Sequence, residues 1–390
     1  MKTYVKPLII LAVVLLCAHF WFNTVDFNGV HANIDLKHYR TMAAAAPGVL
    51  TPSTAPFAYR ILPSWMAGVV GKGLNDELLG FRIVSVLSVL FAAMMLYVYL
   101  VSRKVRNITA LTMACLAVIS QHVLGSVVFN PFQICDALAI GLMLAMLLCI
   151  ERAHIFGFFA ASVIGALTRE PCLLMIPVAL TYVIWQQRSI RSSVFGHVSR
   201  SQNIVQWIAA CVPAIVVAIV VRAFLIAATN TDWSLGAMVV ENAYKFTDPE
   251  TWARMALFAA APISLFPFVF LRQTRTVLGE NVHLVVLFVL VVASSFLGAD
   301  TERLVAPAMV VYYLITARVM DEHSSWVLHY VLVLAALVCS LHPVYARFSP
   351  FTSIDGYGLG IGAFYLTSAM TMVVALIIVI VKTRYRTVRR

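Results

Sequence analysis

Charge is what this sequence has least of. Only 12% of its 390 residues are Asp, Glu, Lys or Arg, while 62% are hydrophobic and the mean hydropathy is +0.91. A soluble domain carries about 25% charged and about 45–50% apolar residues. So few polar side chains cannot cover so much apolar surface in water, which excludes a soluble globular chain, and the same apolar richness excludes disorder. The chain has no P-loop, no G-x-S-x-G, no H-E-x-x-H and no dinucleotide fingerprint. Nor is there a soluble domain to bind ATP or a nucleotide sugar, so a substrate arrives already activated or is merely transported. The seven cysteines form no CxxC and no Cys/His cluster. They read as small core hydrophobes and signal neither a disulfide framework nor a metal.

What is present is a series of long apolar runs. A membrane-crossing helix needs about 20 mostly apolar residues, and runs of that kind fall at 7–22, 78–101, 108–126, 133–150, 155–167, 172–186, 203–226, 252–271, 281–297, 304–320, 325–341 and 359–381. The reading is an all-α, polytopic membrane helix bundle of about 12 spans in a single membrane domain, 1–390. The first extracytoplasmic loop is 23–77, core spans occupy 78–320, C-terminal spans 325–381 and a basic tail 382–390. The first run follows Lys2 and Lys6 but no A-x-A cleavage site, and reads as an uncleaved helix.

The net charge of +11 reflects orientation rather than nucleic acid. With both termini in the cytoplasm, the cytoplasmic segments collect most of the basic residues (Lys2, Lys6, Arg103, Lys104, Arg106, Arg152, Arg188, Arg191, Arg200, Arg272, Arg275, Arg318 and those of the tail). Of the acids they hold only Glu151, Glu280, Asp321 and Glu322. That asymmetry is the positive-inside pattern. The expected arrangement is a multi-pass membrane protein with its polar chemistry on the extracytoplasmic face.

Five clusters lie on that face. The first loop holds Asp26, then His31, Asp35, Lys37, His38, Tyr39 and Arg40, where an acid can act as a general base towards a hydroxyl; Lys37, His38 and Arg40 are placed to keep Asp35 ionised. Pro56-Phe57-Ala58-Tyr59-Arg60 opens an amphipathic run, Ile61–Val70, expected as an outer-face interfacial helix with Arg60 at headgroup level. In Asn130-Pro131-Phe132-Gln133-Ile134-Cys135-Asp136, Asn130 suits an N-cap and Pro131 the first helical position, setting Asp136 about one turn inside a span. An acid there is either functional or ion-paired with Arg82, Arg169 or Arg222. Thr168-Arg169-Glu170-Pro171 joins two short helices, and Gly298-Ala299-Asp300-Thr301-Glu302-Arg303 precedes another. In both turns a phosphate-binding role and a structural ion pair stand side by side. The acids and bases of 232–254 and 342–355 read as solvated loop charges.

This ordered set resembles the glycosyltransferase C superfamily of integral membrane enzymes. The resemblance rests on residues 1–310: an acid-bearing first outer loop, Pro56-Phe57-x-Tyr59-Arg60-x-Leu62-Pro63, Asn130-Pro131-x(4)-Asp136, Thr168-Arg169-Glu170 and Gly298-x-Asp300-x-x-Arg303. It implies a sugar donor on a polyprenyl phosphate, transfer to a glycan, lipid or protein acceptor at the extracytoplasmic surface, and inversion of the anomeric centre. It implies Asp35 as the catalytic base with Asp26 as the fallback, although the loop lacks the two adjacent acids common in that superfamily. Arg60, Arg169 and Arg303 are the expected donor-phosphate ligands, since the planar guanidinium suits bidentate phosphate contact. Tyr59, Asp136, Glu170 and Asp300 are the expected supporting residues. No cofactor or metal is signalled, though some relatives use a divalent cation. Competing readings are a secondary transporter, an O-antigen polymerase or ligase, and an assembly subunit without chemistry.

Overall fold

A computed structural model describes residues 5–21, 34–48, 56–129, 133–192, 204–229, 235–296, 304–323, 326–339 and 368–381. The fold is all-α, with no strand among the described residues. In order, α1 is Val5–Trp21, α2 Ile34–Ala45, α3 Ile61–Leu74, α4 Glu77–Ser102, α5 Asn107–Ile119, α6 Ser126–Phe129, α7 Ile134–Glu151, α8 Ile155–Thr168, α9 Met175–Ser192 and α10 Ile204–Thr229. Then come α11 Leu235–Asn242, α12 Pro249–Phe258, α13 Phe266–Val269, α14 Leu271–Glu280, α15 Val282–Ser295, α16 Met309–His323, α17 Trp326–Cys339 and α18 Ser368–Val381.

Three of these helices are long and apolar enough to cross a membrane unaided: Glu77–Ser102, Ile134–Glu151 and Ile204–Leu225. A fourth span results if α14 and α15, bent by 104° at one residue, count as one. Further apolar helices, such as Asn107–Ile119 and Ile155–Thr168, are shorter than that standard. The run 252–271 is not one helix. It breaks after α12 into turns over 259–265, because Pro262 and Pro267 remove backbone donors there, and Ser264 Oγ accepts the Ala260 N–H at 3.1 Å. At the bend, Asn281 supplies what the helix cannot: its Nδ2 donates to Val277 O at 2.6 Å and its Oδ1 accepts from Arg103.

The core is built on α4 and α7. In α7, 78% of the apolar window is buried, and Gly141 lets the Phe91 ring lie where a Cβ would stand 2.4 Å away. By contrast only 28% is buried in α10, whose Ile208, Val212, Ile219 and Phe224 face outward, as a lipid-exposed helix requires. Asp76 starts α4 by accepting the Leu79 N–H at 3.0 Å. Tyr99 and Arg103 at its C-terminal end meet Glu151 at the C-terminal end of α7, at 2.9 and 3.1 Å. The two helices therefore run parallel, and α8 returns Arg169 to Asp136 at the opposite end. The molecule thus has two polar ends separated by an apolar middle.

The segment read as the first loop contains two helices. The expected interfacial helix is α3, four residues longer than the run 61–70. The 12-residue α2 was not anticipated, because its sequence IDLKHYRTMAAA has almost no net hydrophobicity. It exists through packing. A Cβ on Gly68 of α3 would come within 2.2 Å of Ala43 O, and one on Gly80 of α4 within 2.4 Å of Ala67 O, so glycines let α2, α3 and α4 touch at the backbone. Arg40 closes this layer with a two-pronged contact to Glu77 at 3.0 Å.

Candidate active site

The end of the bundle where α3, α7, α8 and α10 meet gathers most of the polar residues singled out above. Phe57–Tyr59 forms one turn of 3-10 helix, and Arg60 sits at the corner between it and α3. That corner turns the Arg60 side chain inward, 15% exposed. Its Nη1 donates to the Tyr39 hydroxyl at 3.0 Å and its Nε to Glu170 Oε2 at 3.3 Å; the guanidinium also lies 5.7 Å from the Phe57 ring centroid. Burial works against the charge, but Glu170 and the hydrogen bond to Tyr39 hold the Arg60 guanidinium protonated well above its ordinary range.

Glu170 and Arg169 sit at the α8–α9 junction, where Pro171 is the second residue of a 3-10 turn over Glu170–Leu174. Burial opposes ionisation of Glu170, yet Arg60 first, then its own backbone and Arg169 and Arg222, hold the carboxyl below its usual range. One of its oxygens is engaged by Arg60; the other, Oε1, is buried without a hydrogen-bond partner. Arg169 is 3% exposed and forms an ion pair with Asp136 in the first turn of α7. Of the three candidate partners of Asp136, Arg169 is one that it meets. Helix α7 begins at Ile134 with Gln133 preceding it; the expected cap residues Asn130 and Pro131 lie outside the described residues.

Arg222 takes a different place. Its guanidinium lies over the Tyr59 ring, 5.1 Å from the centroid, on the outward-facing α10. A pocket between α8 and α10 is lined by Tyr59, Glu170 and Arg222 with Ala166, Leu173, Ala218 and Val221. Burial pushes the Tyr59 phenol up, Arg222 opposing it. An anion in this pocket would meet the Arg222 guanidinium, with Arg60 behind Glu170.

Asp35 lies in α2, four residues before Tyr39. Of its presumed escorts, Arg40 is engaged by Glu77 and His38 stacks on Phe57 at 4.4 Å. Asp26, Asp300 and Arg303 lie outside the described residues. Among the described residues no group of three His, Cys, Asp or Glu is placed to hold a metal.

Two residues of this site escaped the sequence reading. Tyr39, 2% exposed, was read only as part of a polar loop, and Arg222 only as a possible partner for Asp136; an arginine in an otherwise apolar span was the available signal. A second polar cluster at the other end was missed altogether. There a single Glu151 oxygen accepts from Tyr99 at 2.9 Å and meets Arg103 and His283 at 3.1 Å each.

No family model and no curated protein sequence matches this chain. Two solved structures do, both of ArnT from Cupriavidus metallidurans, a glycosyltransferase of the C superfamily. The form bound to undecaprenyl phosphate superimposes with a TM-score of 0.57 at 13% identity, covering 99% of this chain and 72% of ArnT. The apo form gives 0.54 at 12% identity over 95% and 76%. This chain has a glycosyltransferase C-like fold. The likeness runs over nearly the whole chain, beyond the 1–310 carried by the sequence motifs. With its apolar helices, it makes this a helical membrane protein.

Proposed function

We propose that this protein is an integral membrane glycosyltransferase that moves a sugar from a polyprenyl-phosphate donor to an acceptor at the extracytoplasmic face, inverting the anomeric configuration. The observation that carries the reading is the cluster of Arg60, Arg169 and Arg222 at one end of a glycosyltransferase C-like bundle, two of them bordering or backing a pocket beside the outward-facing α10. A lipid-linked phosphate presents its charge at headgroup depth with its tail in the bilayer, and this placement answers both needs. Undecaprenyl phosphate, bound by the structural neighbour ArnT, is the natural probe. In this reading 23–77 is extracytoplasmic and both termini are cytoplasmic.

The chemistry follows from the charges. Asp35, with Asp26 as the fallback, takes the proton of the acceptor hydroxyl; the oxygen attacks the anomeric carbon, and the bond to the phosphate oxygen breaks with its electron pair. Negative charge therefore grows on the leaving phosphate, and guanidinium groups fixed beside it stabilise that change. Arg60, Arg169 and Arg303 take this role, with Arg222 added, while Tyr59, Asp136, Glu170 and Asp300 orient them. The three described arginines outnumber Glu170 and Asp136, leaving one positive charge for the phosphate. Native mass spectrometry of the purified protein titrated with undecaprenyl phosphate tests the donor site. One stoichiometric adduct is expected, weakened at least tenfold by Arg60→Ala; an adduct equally strong in Arg60→Ala and Arg222→Ala removes the phosphate assignment.

A further inference from the structure

We propose that Tyr39 is a positioning residue, whose hydroxyl holds the Asp35-bearing helix in register with Arg60. The inference rests on the glycosyltransferase reading and deepens it. Helix α2 has 12 residues, a length at which an isolated helix is marginal, so tertiary contacts decide where it sits. Its apolar residues provide attachment: Tyr39, Met42 and Ala43 pack with Ala67, Phe81 and Ile134. Such packing is non-directional and sets presence more than rotation. Direction comes from the Tyr39 hydroxyl. It accepts from Arg60 Nη1 at 3.0 Å and shares a hydrogen bond with the Cys135 thiol, so one oxygen joins α2, the corner before α3 and the start of α7. The ring is held edge-on to Phe57 at 5.8 Å, the same ring that the Arg60 guanidinium approaches.

The consequence for Asp35 is geometric. It precedes Tyr39 by four residues, so a roll or slide of α2 moves both together relative to Arg60. A base displaced by about 1 Å from its reacting proton loses on the order of 10²-fold in rate, whereas donor binding, which uses Arg60 and Arg222, is little changed. Tyr39 thus acts through Asp35 and Arg60.

The experiment compares wild type, Tyr39→Phe and Gly68→Ala as full-length proteins in liposomes, supplied with undecaprenyl-phosphate-linked sugar and envelope extract as acceptor. Polyprenyl phosphate release is followed over a range of donor concentrations and pH. Tyr39→Phe keeps the ring and removes only the hydroxyl. Gly68→Ala touches no polar group but pushes α2 away, since its Cβ would lie 2.2 Å from Ala43 O. Both are expected to lower kcat by about 10- to 100-fold with KM for the donor within about twofold, and with the acid limb of the pH profile moved. The proposal is overturned by an unchanged kcat in Tyr39→Phe, by a rise in KM alone, by a Gly68→Ala enzyme of wild-type kcat, or by a Tyr39→Phe protein that fails to fold, which would make the hydroxyl's role structural. Absence of turnover in wild type instead sinks the glycosyltransferase reading itself.

Discussion

At the scale of single residues, the site is a set of charges that hold one another. Arg60 faces Glu170, and Arg169 faces Asp136. Arg169 with Asp136 was one of the pairings the sequence left open; Arg60 with Glu170 was not among them, although all four stood out as charges in apolar surroundings. The Arg60–Glu170 pairing was not legible, because contact across 110 positions depends on the return of α8. Arg60→Lys is expected to impair undecaprenyl phosphate binding nearly as much as Arg60→Ala, since a point charge cannot reproduce the fork that reaches Glu170, Tyr39 and a phosphate. The loss of one charge-assisted contact is about 1.5–3 kcal/mol, read as a 10- to 150-fold change in affinity. Glu170 gives a pH dependence with a definite sign. Its folded carboxyl titrates below its unfolded value, so the pair's contribution is fully present above the ordinary carboxylate range and is lost as pH falls through the depressed folded value. Thermal unfolding in detergent should therefore lose stability below about pH 4.3, and Glu170→Gln should flatten that loss.

At the scale of elements, periodicity and length served where a helix is apolar throughout and failed where packing makes the helix. The spans α4, α7 and α10 were legible within a few residues, and so was α3 from its amphipathic run. Helix α2 was not, because its own sequence has almost no net hydrophobicity; Gly68 of α3 allows the close approach that stabilises it. The break after α12 was legible only in its prolines, which were passed over as part of one apolar run. The α14–α15 bend depends on Asn281 and its contact with Arg103, a partner 178 positions away. The Glu151 cluster ties α4, α7 and α15 at that same end. Glu151→Ala removes the carboxylate that Arg103 and His283 share, their side chains 22% and 3% exposed. Removing one member of such a buried set typically costs about 3–5 kcal/mol. Thermal melts should show that loss, while undecaprenyl phosphate affinity at the opposite end stays at the wild-type value.

At the scale of the whole molecule, two polar ends joined by an apolar middle match the charge asymmetry of the sequence. Single-cysteine labelling within 41–55 should succeed from outside intact cells, while labelling in the tail at 382–390 should need permeabilisation; the reverse pattern would put the arginine cluster on the wrong side for a lipid-linked donor. The likeness to ArnT over 99% of the chain fixes the fold, and the proposed chemistry stands or falls with the base. Polyprenyl phosphate release in proteoliposomes, supplied with undecaprenyl-phosphate-linked sugar and envelope extract, measures it directly. The account predicts release by wild type, lowered about 10²–10⁴-fold in Asp35→Asn with undecaprenyl phosphate binding unchanged and with Asp26→Asn close to wild type. Equal release by Asp35→Asn, or a wild-type protein that carries solute across the vesicle wall and never releases polyprenyl phosphate, would contradict it.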